Sequence, residues 1–170
     1  MKFKLFNAGL FLLLCVGAAA QQPSSKASYV DPFIGTDGMG HTFPGACVPF
    51  GGVQLSPDTD TIPHNVNGKY QPRAYEYCAG YRYSDPTIVG FSHTHFSGTG
   101  HSDLGDILLM PTTGALRLNP GTADNPDSGY RSRFSHSTEK ASAGRYEVTL
   151  DDYGVKARLC LLYTSDAADE

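Results

Sequence analysis

Glycine and proline interrupt this chain so often that a long helix has nowhere to form. They supply 19 and 11 of the 170 residues, well above the roughly 12% of an average protein, and recur every few positions so that no helical window survives. What remains is short strands joined by turns. Runs that fit strands are Gly52 to Leu55, Thr87 to Phe91, Asp106 to Met110, Ala115 to Leu118 and Tyr130 to Phe134. The clearest is Arg145 to Leu150, where Tyr146, Val148 and Leu150 alternate with Arg145, Glu147 and Thr149 as one buried face requires. Asp151 to Gly154 turns the chain, and Val155, Ala157 and Leu159 alternate with Lys156 and Arg158. That predicts a hairpin. Pro57 to Pro72 and Asn119 to Gly129 read as long surface loops. The pattern predicts an all-β fold, an antiparallel two-sheet sandwich.

The first twenty residues have the layout of a secretory leader: Lys2 and Lys4, an apolar run from Ala8 to Val16, then Ala18-Ala19-Ala20. Cleavage is expected after Ala20, with residues 21–28 as a linker and an exported product, periplasmic or extracellular. The apolar run is shorter than the roughly 20 residues a membrane span needs. Cys15 offers the alternative of a lipid anchor. The formal net charge is −4 and no basic cluster occurs along the sequence, which argues against nucleic acid or anionic lipid as partners. Past the leader stand Cys47, Cys78 and Cys160. None has metal-ligand spacing; Cys47 and Cys78 either pair in an oxidising compartment or remain two separate buried thiols.

Two strings carry the chemistry. DPFIGTDGMGHTFPG, from Asp31 to Gly45, sets Gly35, Gly38, Gly40 and Gly45 around His41 and Thr42; GFSHTHFSGTG, from Gly90 to Gly100, sets His93 and His95 ahead of Gly98. Such residues fill a core poorly, and glycine lets a ligand approach the backbone closely. Tyr75, Tyr77, Tyr81 and Tyr83 surround Cys78 and read either as a sugar platform or as one face of a core strand. Phe43, Phe50, Phe91 and Phe96 read as core. A zinc site on His93 and His95 would want an acid at 97 and a histidine at 98, where the chain has Ser97 and Gly98. Glycoside hydrolysis needs two facing carboxyl groups, and among Asp31, Asp37, Asp58, Asp85, Asp103 and Asp106 none stands out. Asp31 and Asp58, each beside a proline, read as turn caps, and Asp103 and Asp106 as caps flanking Gly105.

The long strings DPFIGTDGMGHTFPGACVPFGGVQLSPDT, CAGYRYSDPTIVGFSHTHFSGTGHSDLGDILLMPTTG and YRSRFSHSTEKASAGRYEVTLDDYGVKARL resemble the N-terminal domain of family 92 of the glycoside hydrolases, the calcium-dependent exo-α-mannosidases. The resemblance covers residues 29–158 and implies a galactose-mutarotase-like sandwich, incomplete here. Residues 159–170 depart from it and read as a non-native tail. It further implies an inverting enzyme acting on terminal α-mannose of glycans. Its catalytic acids and most of its calcium ligands are expected in a C-terminal helical-barrel domain missing from this chain, so the chain alone is expected to be inactive. What this part would supply is a pocket wall: Gly38, Gly40, His41, Thr42, Tyr77, Cys78, His93, His95 and Gly98 as substrate-binding residues, with the two glycine-rich loops side by side. The family often has a tryptophan before the Cys-x-Gly-Tyr string, where Tyr77 stands here.

Two readings from other classes compete. A free-standing carbohydrate-binding sandwich would need a self-contained site and a complete sheet. A metal-dependent hydrolase would use His93 and His95.

Overall fold

The computed structural model describes residues 25–48, 51–60, 62–98 and 105–161. The leader, Cys15, Phe50, Asp103 and most of the tail from 159 lie outside the described residues. Among those described there is no α-helix, only short 3-10 helices at Lys26–Tyr29, Pro72–Tyr77 and Pro126–Ser128. Ten strands follow in order: β1 (Ala46–Cys47), β2 (Gln54–Asp58), β3 (Asn65–Val66), β4 (Lys69–Tyr70), β5 (Thr87–Ile88), β6 (Gly90–Ser92), β7 (Ser132–Arg133), β8 (Lys140–Ser142), β9 (Arg145–Leu150) and β10 (Val155–Cys160). All pairings are antiparallel. The strands form three-stranded sheets β1-β2-β6 and β10-β9-β8 and two-stranded pairs β3-β4 and β5-β7.

The predicted hairpin is β9 and β10, paired from Val155 opposite Leu150 to Cys160 opposite Arg145. Its inward face makes the core. Tyr146, Val148 and Leu150 are wholly buried against Ile88, Phe91 and Phe134, with Val155, Ala157 and Leu159 half-buried beside them. Strands from both larger sheets therefore share one apolar centre, which is the sandwich. Burying such side chains contributes about 1.5–3 kcal/mol each, enough to dominate the weak local propensities.

A buried carboxylate ties the two halves of the chain together. Glu139 accepts hydrogen bonds from the Tyr81 hydroxyl at 2.9 Å, the Tyr146 hydroxyl at 2.5 Å and His136 Nδ1 at 2.6 Å. Burial together with this carboxylate pushes both phenols well above their ordinary range. The ring of His136 stacks on Tyr83 at 4.0 Å.

Several expected strands are shorter or absent, for a common reason. A strand survives only where a neighbour supplies its ladder. Ala115 to Leu118 has none: Leu116 and Leu118 are exposed, and Arg117 instead donates to the carbonyl oxygens of Asp127 and Gly129. In 106–110 the left-handed Ile107 breaks the extended run, leaving a single bridge from Leu109 to Phe91. Conversely, the expected loop 57–72 contains the β3-β4 hairpin. Asn67-Gly68 turns it with both residues at positive φ, the geometry that matches strand twist.

Candidate functional site

The loop from Asp31 to Gly45 folds back on itself. Asp31 caps it as expected, accepting from the Phe33 amide at 2.9 Å. Thr42 donates its amide to Gly35 and its hydroxyl to Ile34. The chain passes so near itself that a Cβ on Gly40 would lie 2.1 Å from the Gly35 carbonyl oxygen. Only glycine fits. This closure leaves Gly38 and Gly40 exposed and turns His41 inward, buried, in the left-handed region at φ 51. Such a backbone conformation is uncommon without glycine and is held by its surroundings. The His41 ring meets Tyr75 edge-on at 4.5 Å, and its Nε2 has no partner among the described residues.

The second string comes to the same place. The Gly98 amide donates to the His41 carbonyl at 2.7 Å, while the Cys78 thiol donates to the Gly98 carbonyl at 3.5 Å. Phe43 lies 5.1 Å from the His95 ring. The two glycine-rich loops are therefore adjacent. Beside them opens a cavity of about 320 Å³ whose lining includes Asp58, Tyr77, Cys78, Gly80, Thr94 and His95.

His95 is the best-held group in this wall. Its Nδ1 lies 2.8 Å from the Gln54 carbonyl oxygen, and its Nε2 lies 3.0 Å from both Asp58 Oδ1 and the Ser92 hydroxyl. Serine, histidine and aspartate are all present, yet a hydrolytic triad places acid and hydroxyl on opposite ring nitrogens. Here they crowd one nitrogen. Asp58, expected as a turn cap, is instead a buried partner of His95, and its Oδ2 is unpartnered among the described residues. Gly80 completes the packing: a Cβ there would sit 2.1 Å from Asp58 Oδ1, and its φ of +80 already favours glycine.

The tyrosines do not form one platform. Tyr77 is buried at the end of the 3-10 turn Pro72–Tyr77, donating its hydroxyl to Asp85 at 3.3 Å with the Arg82 guanidinium 5.4 Å over its ring. Burial first, then the Asp85 charge, raises its phenol above the ordinary range. Tyr81 belongs to the core network, Tyr75 packs on His41, and Tyr83 is exposed. Burial also raises the Cys78 thiol, which makes it a hydrogen-bond donor rather than a nucleophile. The three cysteines described are free, with Cys47 and Cys160 exposed and Cys78 buried. Phe91 is core, whereas Phe96 is exposed.

Of the nine residues singled out from sequence, Tyr77, Cys78 and His95 line the cavity, while His41 and Gly98 bond to each other outside the lining and reach it only through the Cys78 thiol. Gly38, Gly40 and Thr42 stand on the far side of the first loop, outside the lining. His93 parts from His95: its Nδ1 meets the Ile107 carbonyl at 2.8 Å, and it lines a separate apolar cleft with Leu55, Phe91 and Leu109. The divergence follows from β6 ending at Ser92, after which the i, i+2 alternation of a strand no longer applies. Two histidines so committed do not share a metal. Among the described residues, no group of three or more His, Cys, Asp or Glu is arranged to hold one. The sequence reading of Asp58 as a turn cap misses its pairing with His95, and Gly80 goes unremarked there, its signal being its place in Cys-Ala-Gly-Tyr.

The glycosyl hydrolase family 92 N-terminal domain, as a sequence profile, matches residues 29–161. The chain belongs to that family. Among solved structures, a family 92 alpha-mannosidase from Bacteroides thetaiotaomicron, determined with mannoimidazole, is 51% identical with a TM-score of 0.71, covering 80% of this chain and 16% of that one. A family 92 inverting mannosidase from the same organism is 25% identical with a TM-score of 0.53, covering 82% of this chain and 16% of that one. An uncharacterized secreted glycosidase from Arthroderma benhamiae is 33% identical over 100 residues, which are 58% of this chain and 11% of that protein. The chain spans less than a fifth of these relatives' length. It is the N-terminal domain of a family 92 glycoside hydrolase, and its all-β sandwich is the fold of that domain.

Proposed function

We propose that this chain is the pocket-forming N-terminal part of an exported, inverting α-mannosidase that removes terminal α-mannose from glycans. The observation that carries the reading is the 51% identity to an alpha-mannosidase across 80% of the chain, together with a cavity lined by Thr94 and His95 of the second glycine-rich loop and by Asp58, Tyr77 and Cys78. In this reading the chain positions and encloses substrate. The Thr94 hydroxyl and the unpartnered Asp58 Oδ2 are the lining groups able to meet sugar hydroxyls, and the Tyr77 ring gives the cavity an apolar side. An inverting hydrolysis needs one carboxylic acid to protonate the leaving oxygen. A second carboxylate, roughly 6.5–9.5 Å away, activates water. Asp58 is unsuited to either task because His95 holds it. The reading assigns the catalytic pair, and most of the calcium ligands, to the larger remainder of the protein. Residues 1–20 supply export by their leader layout, with a lipid on Cys15 as the alternative.

The direct test is release of mannose from aryl α-mannosides by the homogeneous chain with calcium present. No turnover is expected, and calcium-dependent turnover would overturn the assignment of chemistry elsewhere. Mass spectrometry of the exported product should find Gln21 at its start; an intact Met1 would refute the leader.

A further inference from the structure

The outward face of the β8-β9-β10 sheet gathers charges that are scattered in the sequence. Because Tyr146, Val148 and Leu150 point into the core, Arg145, Glu147 and Thr149 point away from it. The register sets Ser142 and Cys160 beside Arg145, Lys140 and Arg158 beside Glu147, and Lys156 beside Thr149. Four cations thus converge on one carboxylate. Arg145 lies 2.9 Å from Glu147, Lys156 3.2 Å, Arg158 3.3 Å and Lys140 4.0 Å. Glu147 is 7% exposed, whereas the cations are 50%, 54%, 56% and 73% exposed. One carboxylate cannot neutralise four cations, so the face carries three positive charges in excess on a chain whose net charge is negative.

We propose that this face binds an acidic polysaccharide through its carboxylate or sulfate groups. Cations about 5 Å apart between strands and about 7 Å apart along them match anionic groups repeating along a stiff polymer, and the hydroxyls of Ser142 and Thr149 suit a hydroxylated ligand. Among the described residues the face has no aromatic ring on which bases would stack and, apart from Cys160, no apolar side chain to enter a membrane. Glu147 is itself held ionised, at about 2, by its bonds to Arg145 and Lys156, so it orients the cations at any ordinary pH. The α-mannosidase reading enters only in preferring a polysaccharide over other polyanions. The test uses no turnover, so failure of either leaves the other standing.

The experiment is affinity electrophoresis and calorimetry of the whole chain at low salt against polygalacturonate, dextran sulfate and uncharged dextran. Expected are binding of one or both acidic polymers, none of dextran, and steep weakening with salt. The arm that binds identifies carboxylate or sulfate as the recognised group. Lys156→Gln with Arg158→Gln should weaken binding at least about tenfold. The charge-matched pair Lys69→Gln with Arg73→Gln, both exposed elsewhere, should not. Glu147→Gln removes the only carboxylate among the described residues of the face and should tighten binding severalfold, an effect no loss of structure would mimic. Equal weakening by the two double variants, unchanged or weaker binding by Glu147→Gln, or capture by phosphatidylserine vesicles but by neither polymer would each overturn the proposal.

Discussion

Replacing His95 by alanine is the sharpest probe of how the pocket wall is built. In the folded protein both ring nitrogens and the backbone amide of His95 are engaged, and Asp58 Oδ1 has its contact at 3.0 Å with the ring while Oδ2 has none. Asp58 is 3% exposed and His95 3% exposed. Alanine therefore leaves a carboxylate with little water and without its partner. Breaking one side of a buried pair costs about 3–5 kcal/mol, against a total stability of about 5–15 kcal/mol for a typical domain. Urea denaturation followed by circular dichroism should show a midpoint lowered accordingly, with the slope unchanged. The double variant Asp58→Asn with His95→Gln removes the carboxylate and the ring together and keeps polar groups in place, so it should lose less than the sum of the two single changes. A loss under about 1 kcal/mol for His95→Ala, or strict additivity in the cycle, would refute the view that His95 is architectural first. The same result would return it to the list of freely disposed sugar contacts.

Three further outcomes are expected. Glu139→Ala strands the hydroxyls of Tyr81 and Tyr146, both buried, at about 1–3 kcal/mol each; a urea midpoint near that of the parent would contradict the network. Because folding raises these phenols above their ordinary value of 10.0, their share of stability is complete below about pH 10. It is lost as pH climbs further, since the unfolded tyrosines ionise first; Tyr146→Phe should flatten the alkaline fall in thermal midpoint, and an identical fall in both proteins would count against it. In a full-length family member, His41→Gly relieves a left-handed residue while deleting a ring beside the cavity. Stability should hold or rise while mannoside affinity drops, and loss of both together would make His41 purely structural.

The sequence made the β9-β10 hairpin legible because an alternation of period two over six residues has one physical solution, and glycine with proline had already excluded helices. The adjacency of the two glycine-rich loops was likewise readable, since residues that cannot fill a core must meet something at a surface. What escaped depends on where strands stop. His93 and His95 look equivalent until β6 ends between them and the preceding core, sending one ring to Asp58 and the other to Ile107. Tyr81 and Tyr83 look paired until Glu139, distant in sequence, takes one of them. The basic sheet face was invisible for the same reason, as each of its cations stands alone along the chain and only the register assembles them.

The near-contact between Gly80 and Asp58 also constrains how this protein can diverge. A side chain at position 80 would collide with a carboxylate oxygen 2.1 Å away, so glycine there is obligatory for as long as aspartate occupies 58. The reverse does not hold, because shortening Asp58 opens space without demanding anything of Gly80. Even then the φ of +80 and the His95 Nε2, 3.1 Å from the same Cβ, reserve position 80 for glycine, so position 58 is free to drift by itself while a change at 80 carries a strain that no substitution at 58 removes.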